Sequence, residues 1–296
     1  MQIFRQLIII WKIRNLALME NLRTIIVTGS NKGIGYYILK RLAEENKTFQ
    51  FIMAVRSISN GENALASLSK TIPEVEKRIK IEQLDVADSG SIDKFVSNIK
   101  EKFGKVDALI NNAGFAFKGD AFGPEVVRDT FQPNFYGTIE LSEKMIDYIK
   151  DYGKIITVGS QAGKLRILKD DNLVKSFTDP NITKTQLYGL AKQFYDSVVD
   201  DTYAQKGFPK QSYAMSKLCL NTFMTSIFPK EKKIIDKNIQ VYCLCPGWCR
   251  TDMAGDKAPK SAEDGADTPV YLVNLPWEVN KDLQGKFFYE RQVTSL

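Results

Sequence analysis

The chain has 296 residues, of which 44% are hydrophobic and 11% aromatic, and this is enough for a sizeable core. The formal net charge of +6 is spread along the chain without a run of like charges, which argues against a nucleic-acid partner and is compatible with a small anionic ligand. The sequence contains no histidine, so histidine metal sites and histidine general bases are excluded. Acid and base chemistry must therefore fall to Tyr, Lys, Asp, Glu or Cys.

Residues 1–20 read as a basic N-terminal extension. Its longest apolar run, residues 7–11, is far too short to span a bilayer. Three interpretations stay open: a helix that touches a membrane or protein surface, a mitochondrial presequence, or translated sequence upstream of a true start at Met19. We expect the folded domain to span residues 21–296.

The first predicted strand is an apolar, β-branched run at residues 23–28. It leads into a glycine turn, Gly29 to Gly35, and then into a helical pattern. Glycines let the backbone approach a ligand closely, and the N-terminus of the next helix offers free N–H groups and a positive dipole. A strand, a glycine turn and a helix in this order predict a dinucleotide phosphate site.

The second predicted strand, residues 49–55, ends at Arg56. An NAD-binding domain usually carries an acid at this place, where it binds the ribose 2′-hydroxyl. Here Arg56, together with Lys32 of the glycine turn, suits a 2′-phosphate instead. We therefore expect NADP(H) as the cofactor, with a solvated arginine at a strand end as the alternative.

Three further strands are predicted to end in polar residues at the same edge of a sheet. They are residues 79–84 before Asp85 and Val86, residues 106–110 before Asn111-Asn112-Ala113-Gly114, and residues 154–158 before Ser160. An Asp at a strand end can accept a hydrogen bond from the adenine amino group. Asn side chains there can line the cofactor while bonding neighbouring backbone.

A long helix is predicted over residues 126–152, with Asn134 inside it directly after Pro133. Asn has a low helix propensity and Pro implies a kink, so position 134 is a candidate for function. Later elements are a helix at 184–202, a sixth strand at 239–244 and a last strand at 285–290. The alternation predicts one doubly wound parallel sheet, a Rossmann fold, with helices on both faces and a helical insertion before Tyr213.

Tyr213 and Lys217 are four residues apart, so on a helix they lie one above the other on the same face. A phenol is a poor acid at neutral pH, but a fixed cation beside it stabilises the phenolate. We therefore expect Lys217 to lower the pKa of Tyr213 and make it a usable general acid and base.

The four cysteines, at positions 219, 243, 245 and 249, do not form a pattern typical of a disulfide framework in a chain of this size. Three of them are close enough in sequence to raise the question of zinc. Alternation along a strand is the simpler account of Cys243 and Cys245, so we expect no metal site.

These motifs together resemble the short-chain dehydrogenase/reductase family, over roughly residues 21–296. The matching features, in family order, are Thr28-Gly29-(x)3-Gly33-x-Gly35, Asp85, Asn111 to Gly114, Asn134, Ser160, Tyr213-(x)3-Lys217 and Pro246-Gly247. Within the family, the sequence looks most like the monomeric NADPH-dependent carbonyl reductases, including its long insertion between Ser160 and Tyr213. It departs from them at Cys249, where an aliphatic residue is common, in the sequence of the insertion, and in the N-terminal extension.

The resemblance implies a role for each matching residue. Tyr213 would protonate the carbonyl oxygen, Ser160 would hold it, Lys217 would bind the nicotinamide ribose, and Asn134 would position a water. The implied cofactor-binding residues are Gly29, Asn31, Lys32, Gly33, Ile34, Gly35, Arg56, Asp85, Val86, Asn112, Ala113, Gly114, Tyr213, Lys217, Pro246, Gly247 and Thr251. The implied substrate-side residues are Phe117, Lys118, Ser160, Trp248 and Met253.

The implied activity is NADPH-dependent reduction of small ketones, aldehydes or quinones. The alternative is a non-catalytic NADP-binding scaffold or redox sensor on the same fold. The expected partner is a small carbonyl compound, with no nucleic acid and no stable membrane span. The expected location is cytoplasmic, although the extension leaves a mitochondrial or membrane-surface location open.

The insertion carries apolar residues at spacings of three and four, which predict an apolar stripe on a helix: Leu187, Leu190, Ala191, Phe194 and Val198. Ordinary members of the family pair through the helix of the catalytic Tyr and the helix before Ser160. We expect the stripe to cover that surface and keep the protein monomeric; the alternative is that the stripe is itself a dimer contact.

Overall fold

The computed structural model describes residues 22–296, so the predicted extension at residues 1–20 lies outside the described part. Its centre is one eight-stranded sheet in the order β3-β2-β1-β4-β5-β6-β7-β8. The strands are β1 Arg23–Thr28, β2 Phe49–Val55, β3 Ile79–Gln83, β4 Val106–Asn111, β5 Ile149–Val158, β6 Gln240–Cys245, β7 Phe287–Tyr289 and β8 Gln292–Thr294. All neighbouring strands are parallel except β8, which is antiparallel to β7. The predicted Rossmann fold is confirmed.

Helices lie on both faces of this sheet. They are α1 Gly33–Glu45, α2 Ile58–Ser69, α3 Val75–Arg78, α4 Ser89–Phe103, α5 Pro124–Phe131, α6 Thr138–Met145, α7 Asp171–Thr178, α8 Lys184–Val199, α9 Ser212–Thr222, α10 Lys232–Asp236, α11 Ala262–Gly265 and α12 Asp267–Asn274. Within residues 22–296, none of the helices combines the length and the apolar character that crossing a membrane requires.

Neighbouring residues of each strand feed two separate cores, one on each face of the sheet. Ile26 of β1 packs in the core formed with α4, α5, α6, α8 and α9. Its neighbour Ile25 packs in the core formed with α1, α2 and α12. Burial on both faces explains why the inner strands are continuous apolar runs in the sequence.

The strand order reverses between β1 and β4, the point at which open parallel sheets bind ligands. The turn after β1 and the turn after β4 therefore lie side by side at the carboxyl edge. The loops after β5 and β6 reach the same edge, because these strands continue the parallel order from β4.

The prediction of one long helix over residues 126–152 is wrong, because the helix is interrupted and ends earlier than predicted. It is α5, a π-helical turn at Gln132–Gly137, α6 and a 3-10 turn at Ile146–Tyr148, after which β5 begins. The π turn contains Pro133, which has no N–H to donate. Gly137 lets this segment approach the sheet, because a Cβ there would lie 1.7 Å from the Val86 oxygen.

Other boundaries differ less. The bounds of β1 and β2 are as predicted, whereas the helix at 184–202 ends at Val199 and the sixth strand runs one residue later. β5 begins at Ile149 and not at residue 154 as predicted. Its first part, which includes Lys150 to Tyr152, is too polar to be recognised as a strand from the sequence. Helix α7 and strand β8 were not predicted, and the last strand is shorter than expected.

Candidate active site

The glycine turn after β1 has the geometry of a phosphate cradle. Gly29 and Gly33 have φ values of +63° and +57°, which disfavour any residue with a side chain. A Cβ at Gly35 would lie 2.4 Å from the Asn112 amide nitrogen and 2.6 Å from the Gly29 oxygen. Helix α1 begins here, and no side chain caps its N-terminus. Its first backbone N–H groups are therefore available to bind an anion. The residues present fit a dinucleotide pyrophosphate.

The two turns at the switch point are bonded to each other. The Thr28 hydroxyl oxygen accepts hydrogen bonds from the backbone N–H groups of Asn112, at 3.0 Å, and Ala113, at 2.9 Å. The Asn112 side chain donates back to the oxygens of Thr28, at 2.9 Å, and Gly29, at 3.3 Å. Asn112 therefore fixes the shape of the glycine turn, and its amide bonds neighbouring backbone as the sequence predicted.

Two other predicted cofactor residues, Arg56 and Asp85, lie just beyond the carboxyl ends of β2 and β3, where the sequence predicts the adenosine end of the cofactor. Arg56 is exposed at the end of β2. Asp85 is half-buried and one of its oxygens accepts from the Ala87 N–H at 3.0 Å. A cavity of about 540 Å³ opens between the glycine turn and α2, lined by Asn31, Lys32, Gly33, Tyr36, Asn60, Asn63, Ala64 and Ser67. Ile34 turns its side chain toward Gly265 of α11, so only its backbone faces the turn.

The predicted catalytic residues converge at the carboxyl ends of β5 and β6. Tyr213 and Lys217 lie on α9, and Ser160 follows β5 directly. The Ser160 side chain lies near enough to the Tyr213 hydroxyl to act on its pKa, and its own hydroxyl oxygen accepts from the Ala162 N–H at 3.1 Å. The Lys217 ammonium donates to the Val158 oxygen at 2.8 Å and lies 5.9 Å from the centre of the Tyr213 ring.

The electrostatics of this group differ from the sequence-based expectation. Burial raises the pKa of Tyr213 to about 12, although the nearby Ser160 side chain acts in the opposite direction. Burial also lowers the pKa of Lys217 to about 8, opposed by Cys243 and Cys245. The expected net lowering of the Tyr213 pKa is therefore wrong for the protein's own groups, because desolvation dominates and the Lys217 ammonium, which is bonded to Val158, is not among the groups that shift this pKa.

Asn134 is fully buried in the π-helical turn, and both polar atoms of its side chain are hydrogen-bonded to other residues of the protein. Its amide oxygen accepts from the Phe115 N–H at 2.7 Å. Its amide nitrogen donates to the Phe115 oxygen at 2.7 Å and to the Ser216 hydroxyl at 3.1 Å. A Cβ at Gly114 would lie 3.1 Å from the Asn134 oxygen and 3.7 Å from the Lys217 nitrogen. Asn134 thus braces the loop after β4 next to Lys217.

Sequence reasoning missed Asn221, which lies one helical turn beyond Lys217. Its amide donates to the oxygens of Ser160, at 2.9 Å, and Gly163, at 3.0 Å, and its oxygen accepts from the Ser160 N–H at 3.4 Å. Asn221 therefore fixes the backbone that carries the Ser160 hydroxyl. The signal was present, since 213, 217 and 221 continue one spacing of four along a helix face.

Exposed apolar side chains follow β4 and β6 at this edge of the sheet, and together they are called the apolar mouth below. Phe115 and Phe117 contact edge to face, with ring centres 4.8 Å apart. Trp248 and Met253, both exposed, follow the Pro246-Gly247 turn after β6. In the same loop Thr251 lies against the glycine turn, 3.4 Å from where a Cβ of Gly33 would be. Lys118 lies close enough to Asp252 to help lower the pKa of that carboxyl, after the larger effect of Lys32.

The cysteines are buried thiols. Cys243 and Cys245 lie on one face of β6 and Tyr242 and Leu244 on the other, which confirms the predicted alternation. Burial raises the pKa of Cys243 to about 12 and that of Cys249 to about 11. Within residues 22–296, no cluster of three or more Cys, Asp or Glu side chains is arranged to hold a metal ion.

Known proteins are similar to this chain in sequence and in fold. The sequence profile of the short chain dehydrogenase family matches residues 23–169. Carbonyl reductase (NADPH) 1 of Mus musculus is 33% identical over 90% of this chain and 96% of its own length, and that of Homo sapiens is 32% identical over 93% and 98%.

Solved structures agree with the sequence comparison. Salutaridine reductase from Papaver somniferum has a TM-score of 0.77 at 26% identity, covering 90% of this chain and 99% of its own. Menthone neomenthol reductase from Mentha piperita has a TM-score of 0.73 at 26% identity, covering 90% and 98%. The chain therefore belongs to the short-chain dehydrogenase/reductase family, as its motifs predicted, and it is similar to the carbonyl reductases within that family.

Proposed function

We propose that this chain reduces small ketones, aldehydes or quinones and that Tyr213 donates the proton to the carbonyl oxygen. The chain is an NADPH-dependent oxidoreductase of the carbonyl-reductase type, and its cofactor is NADP(H). The observation that carries the finer proposal is the convergence of Tyr213, Ser160 and Lys217 at one sheet edge, beside the glycine turn.

When bound, NADPH supplies the hydride. Tyr213 keeps its proton at neutral pH because burial raises its pKa to about 12, so the phenol is in the donor form that reduction needs. Ser160 and Tyr213 can hold the same carbonyl oxygen, because the Ser160 side chain lies near enough to the Tyr213 hydroxyl to act on its pKa. As negative charge develops on that oxygen, two positioned donors stabilise it and the Tyr213 proton moves to it.

Lys217 acts on the other side of Tyr213. Its pKa of about 8 leaves most of the ammonium charged at neutral pH, where it favours the phenolate left after proton transfer. Its contact with Val158 orients it, and by family resemblance it binds the nicotinamide ribose. Asn134 braces the loop beside Lys217 with its side chain, and in this proposal it also positions a water for proton supply, as the family resemblance implies.

The substrate side of the proposal rests on the apolar mouth. Phe117, Trp248 and Met253 present partly exposed apolar surface, and Lys118 places a charge at the rim. Apolar surface of this kind suits a small apolar carbonyl compound better than a sugar or a peptide. We include cytoplasmic location and a monomeric state in the proposal, with residues 21–296 as the catalytic domain and residues 1–20 as an added extension.

The alternative, a non-catalytic NADP-binding scaffold or redox sensor, is less well supported. Asn134, Ser160, Tyr213 and Lys217 are all present, whereas a scaffold has no need of the complete set. A thiol sensor requires an exposed, low-pKa cysteine. Burial instead raises the pKa of Cys243 and Cys249, and both are inaccessible.

The test is Tyr213→Phe, assayed with NADPH against a set of quinones, aldehydes and ketones. We expect kcat/KM to fall by roughly 100- to 10,000-fold while NADPH still binds, because only the transferable proton is lost. Lys217→Met should impair both turnover and cofactor binding. The matched control is Tyr152→Phe, at an exposed tyrosine on the opposite edge of the sheet, which should leave turnover unchanged. Near-normal turnover by the Tyr213 variant would contradict the mechanism.

A further inference from the structure

The loop at residues 246–260 leaves β6 beside the catalytic pair. Cys245, the last residue of β6, is near enough to Tyr213 and Lys217 to influence the pKa of both. Gly247, two residues later, has a φ of +92°. The end of the loop returns to this point, because the Lys260 N–H donates to the Trp248 oxygen at 3.2 Å and the Lys260 oxygen accepts from the Arg250 N–H at 2.8 Å.

The Lys260 side chain lies against Gly247. A Cβ at Gly247 would be 2.8 Å from Cδ, 3.3 Å from Nζ and 3.4 Å from Cε of Lys260. The ammonium forms an ion pair with Glu290 and lies 5.1 Å from the centre of the Tyr289 ring. The lysine stem therefore covers the Pro246-Gly247 turn, and its charged end is held by a different part of the fold.

Glu290 belongs to an unusual hairpin turn. It and Arg291 are the two residues between β7 and β8, and their φ values are +49° and +63°. Two-residue hairpin turns of this shape favour Asn, Asp and Gly, so two long side chains with positive φ are strained. Arg291 is held by a two-point ion pair with Asp267 and by its N–H bond to the Thr268 hydroxyl at 3.2 Å. Backbone strain that is retained in this way is typical of functional positions.

We propose that Lys260 and Glu290 are positioning residues: the strained β7–β8 turn holds Glu290 in place, Glu290 holds the Lys260 ammonium, and the Lys260 stem fixes the Pro246-Gly247 turn against the nicotinamide end of the cofactor. This inference rests on the proposed function, which places the nicotinamide beside Tyr213 and Lys217. The adenosine end of the groove, at Arg56 and Asp85, lies several strands away across the sheet. The Lys260–Glu290 pair should therefore affect one end of the cofactor and not the other.

An ordinary surface ion pair would behave differently. The Glu290 side chain is 57% exposed and that of Lys260 29%, and exposed pairs of this kind contribute little to stability. If the pair had only that role, removing it would change neither cofactor affinity nor turnover. A general loosening of the fold, in contrast, would weaken every ligand equally.

The experiment measures the affinity of Lys260→Met and Glu290→Gln for two probes, NADPH and adenosine 2′,5′-bisphosphate, by calorimetry. Met keeps an apolar stem over Gly247 and removes the charge. We expect the Kd for NADPH to rise about tenfold, as for loss of one charge-assisted contact, and the Kd for the bisphosphate to stay unchanged. The double variant should be no worse than either single variant, and Lys260→Arg should restore NADPH affinity.

The matched control is Lys257→Met, at an exposed lysine of the same loop, which should change neither Kd. Equal changes for both probes, or no change for NADPH, would overturn the inference. Turnover is measured separately on the wild-type chain. If the variants lose affinity for NADPH but not for the bisphosphate, and the wild-type protein reduces no carbonyl compound, the proposed function is contradicted and the positioning role stands. If the wild-type protein reduces carbonyl compounds but the variants bind NADPH as the wild type does, the positioning role is contradicted and the proposed function stands.

Discussion

The Lys32 ammonium lies 2.6 Å from a carboxylate oxygen of Asp252. The pair joins the glycine turn after β1 to the loop after β6, and Lys32 is the main cause of the lowered pKa of Asp252. Both side chains are mostly exposed, so the pair adds little to stability. For the proposed 2′-phosphate site the consequence is that the charge of Lys32 is already paired with that of Asp252. Arg56 is exposed and takes part in none of the ion pairs found within residues 22–296, so we expect it to contribute the larger share of the binding of a 2′-phosphate.

Arg56→Glu should therefore reverse the preference for NADPH over NADH. Loss of one charge-assisted contact typically costs ~1.5 to 3 kcal/mol, which is roughly ten- to a hundredfold in affinity. A carboxylate at this place also suits the ribose 2′-hydroxyl of NADH. The measurement is the ratio of kcat/KM for the two cofactors. Lys47→Glu, an equal charge change at an exposed residue before β2 on the opposite edge of the sheet, is the control. An unchanged ratio in the Arg56 variant would show that the 2′-phosphate site is elsewhere.

Asn221→Ala should impair chemistry more than cofactor binding. The substitution leaves the Ser160 and Gly163 oxygens without their donor and frees the backbone that carries the Ser160 hydroxyl. A misplacement of about 1 Å at a reacting group can cost roughly 100-fold in rate, so we expect kcat to fall 10- to 100-fold. NADPH affinity, measured by fluorescence titration, should stay near that of the wild type. Asn172→Ala, at an exposed residue of α7, should alter neither quantity, and a normal kcat in the Asn221 variant would rule out the positioning role.

The sequence predicted the sheet well because buried parallel strands are continuous apolar runs. β1 and β2 were recognised to the residue for this reason. β5 was not, since Lys150 to Tyr152 continue it with polar side chains, and β8 has only three residues. A polar segment of a strand and a strand of three residues both lack the apolar run or alternation by which strands are recognised in a sequence.

The site shows the same division between identity and environment. The spacing predicted that Tyr213 and Lys217 share one helix face, and the other motifs of the chain were needed to predict them as a catalytic pair. The pKa of Tyr213 depends on how deeply the hydroxyl is buried, and on Lys217 being bonded to Val158, which are properties of the tertiary structure. The bond from Asn221 to Ser160 joins residues 61 positions apart. Sequence can name such residues but cannot supply the distances between them.

Lys154 is a fully buried lysine whose importance was also invisible in the sequence. Its ammonium donates to the oxygens of Leu272, at 3.2 Å, Val273, at 2.9 Å, and Leu275, at 2.6 Å, and lies 4.4 Å from the centre of the Trp277 ring. These oxygens lie at the C-terminus of α12, where a cation is favoured by the helix dipole. Three acceptors match the three N–H groups of the ammonium, whereas burial and the nearby Arg23 lower its pKa to about 7.

Lys154→Met should lower the free energy of unfolding by ~2 to 3 kcal/mol at pH 9, because the oxygens at the end of α12 lose their donor. The wild-type pKa of Lys154 is about 7 when folded and near its ordinary value of 10.5 when unfolded, so between these pH values the unfolded state binds more protons. Wild-type stability therefore gains with rising pH in this window, and the variant lacks that gain. The difference between the two proteins should grow from pH 7 to pH 9 in urea unfolding. A difference that shrinks, or no destabilisation at all, would contradict this account; Lys80→Met on the exposed side of β3 is the control.

The insertion before Tyr213 packs against α5 and α9, and we expect it to cover the surface that, by the family resemblance, would otherwise serve for pairing. Of the predicted stripe, Leu187, Ala191, Phe194 and Val198 are buried and Leu190 is partly buried. The helix that carries them, α8, packs against α5 and α9. The Phe194 ring stacks on Phe131 of α5 with centres 5.8 Å apart. Burial of a Leu, Val or Phe side chain contributes roughly 1.5 to 3 kcal/mol, so the stripe can hold α8 in place within one chain.

From this packing we predict a monomer. Light scattering at micromolar concentration should give a mass near 33.5 kDa for the full chain. The chain that starts at Met19 should likewise give the mass of a single chain. Deletion of residues 180–205 should expose the faces of α5 and α9 and convert the monomer into a dimer or an aggregate, because an apolar surface of that size must find a partner. The milder variant Val199→Asp changes an exposed residue next to the stripe and should leave the mass unchanged, whereas Phe194→Asp, at a fully buried position, should act like the deletion. A wild-type mass near twice that of the chain would show that α8 is a dimer contact and not a cover.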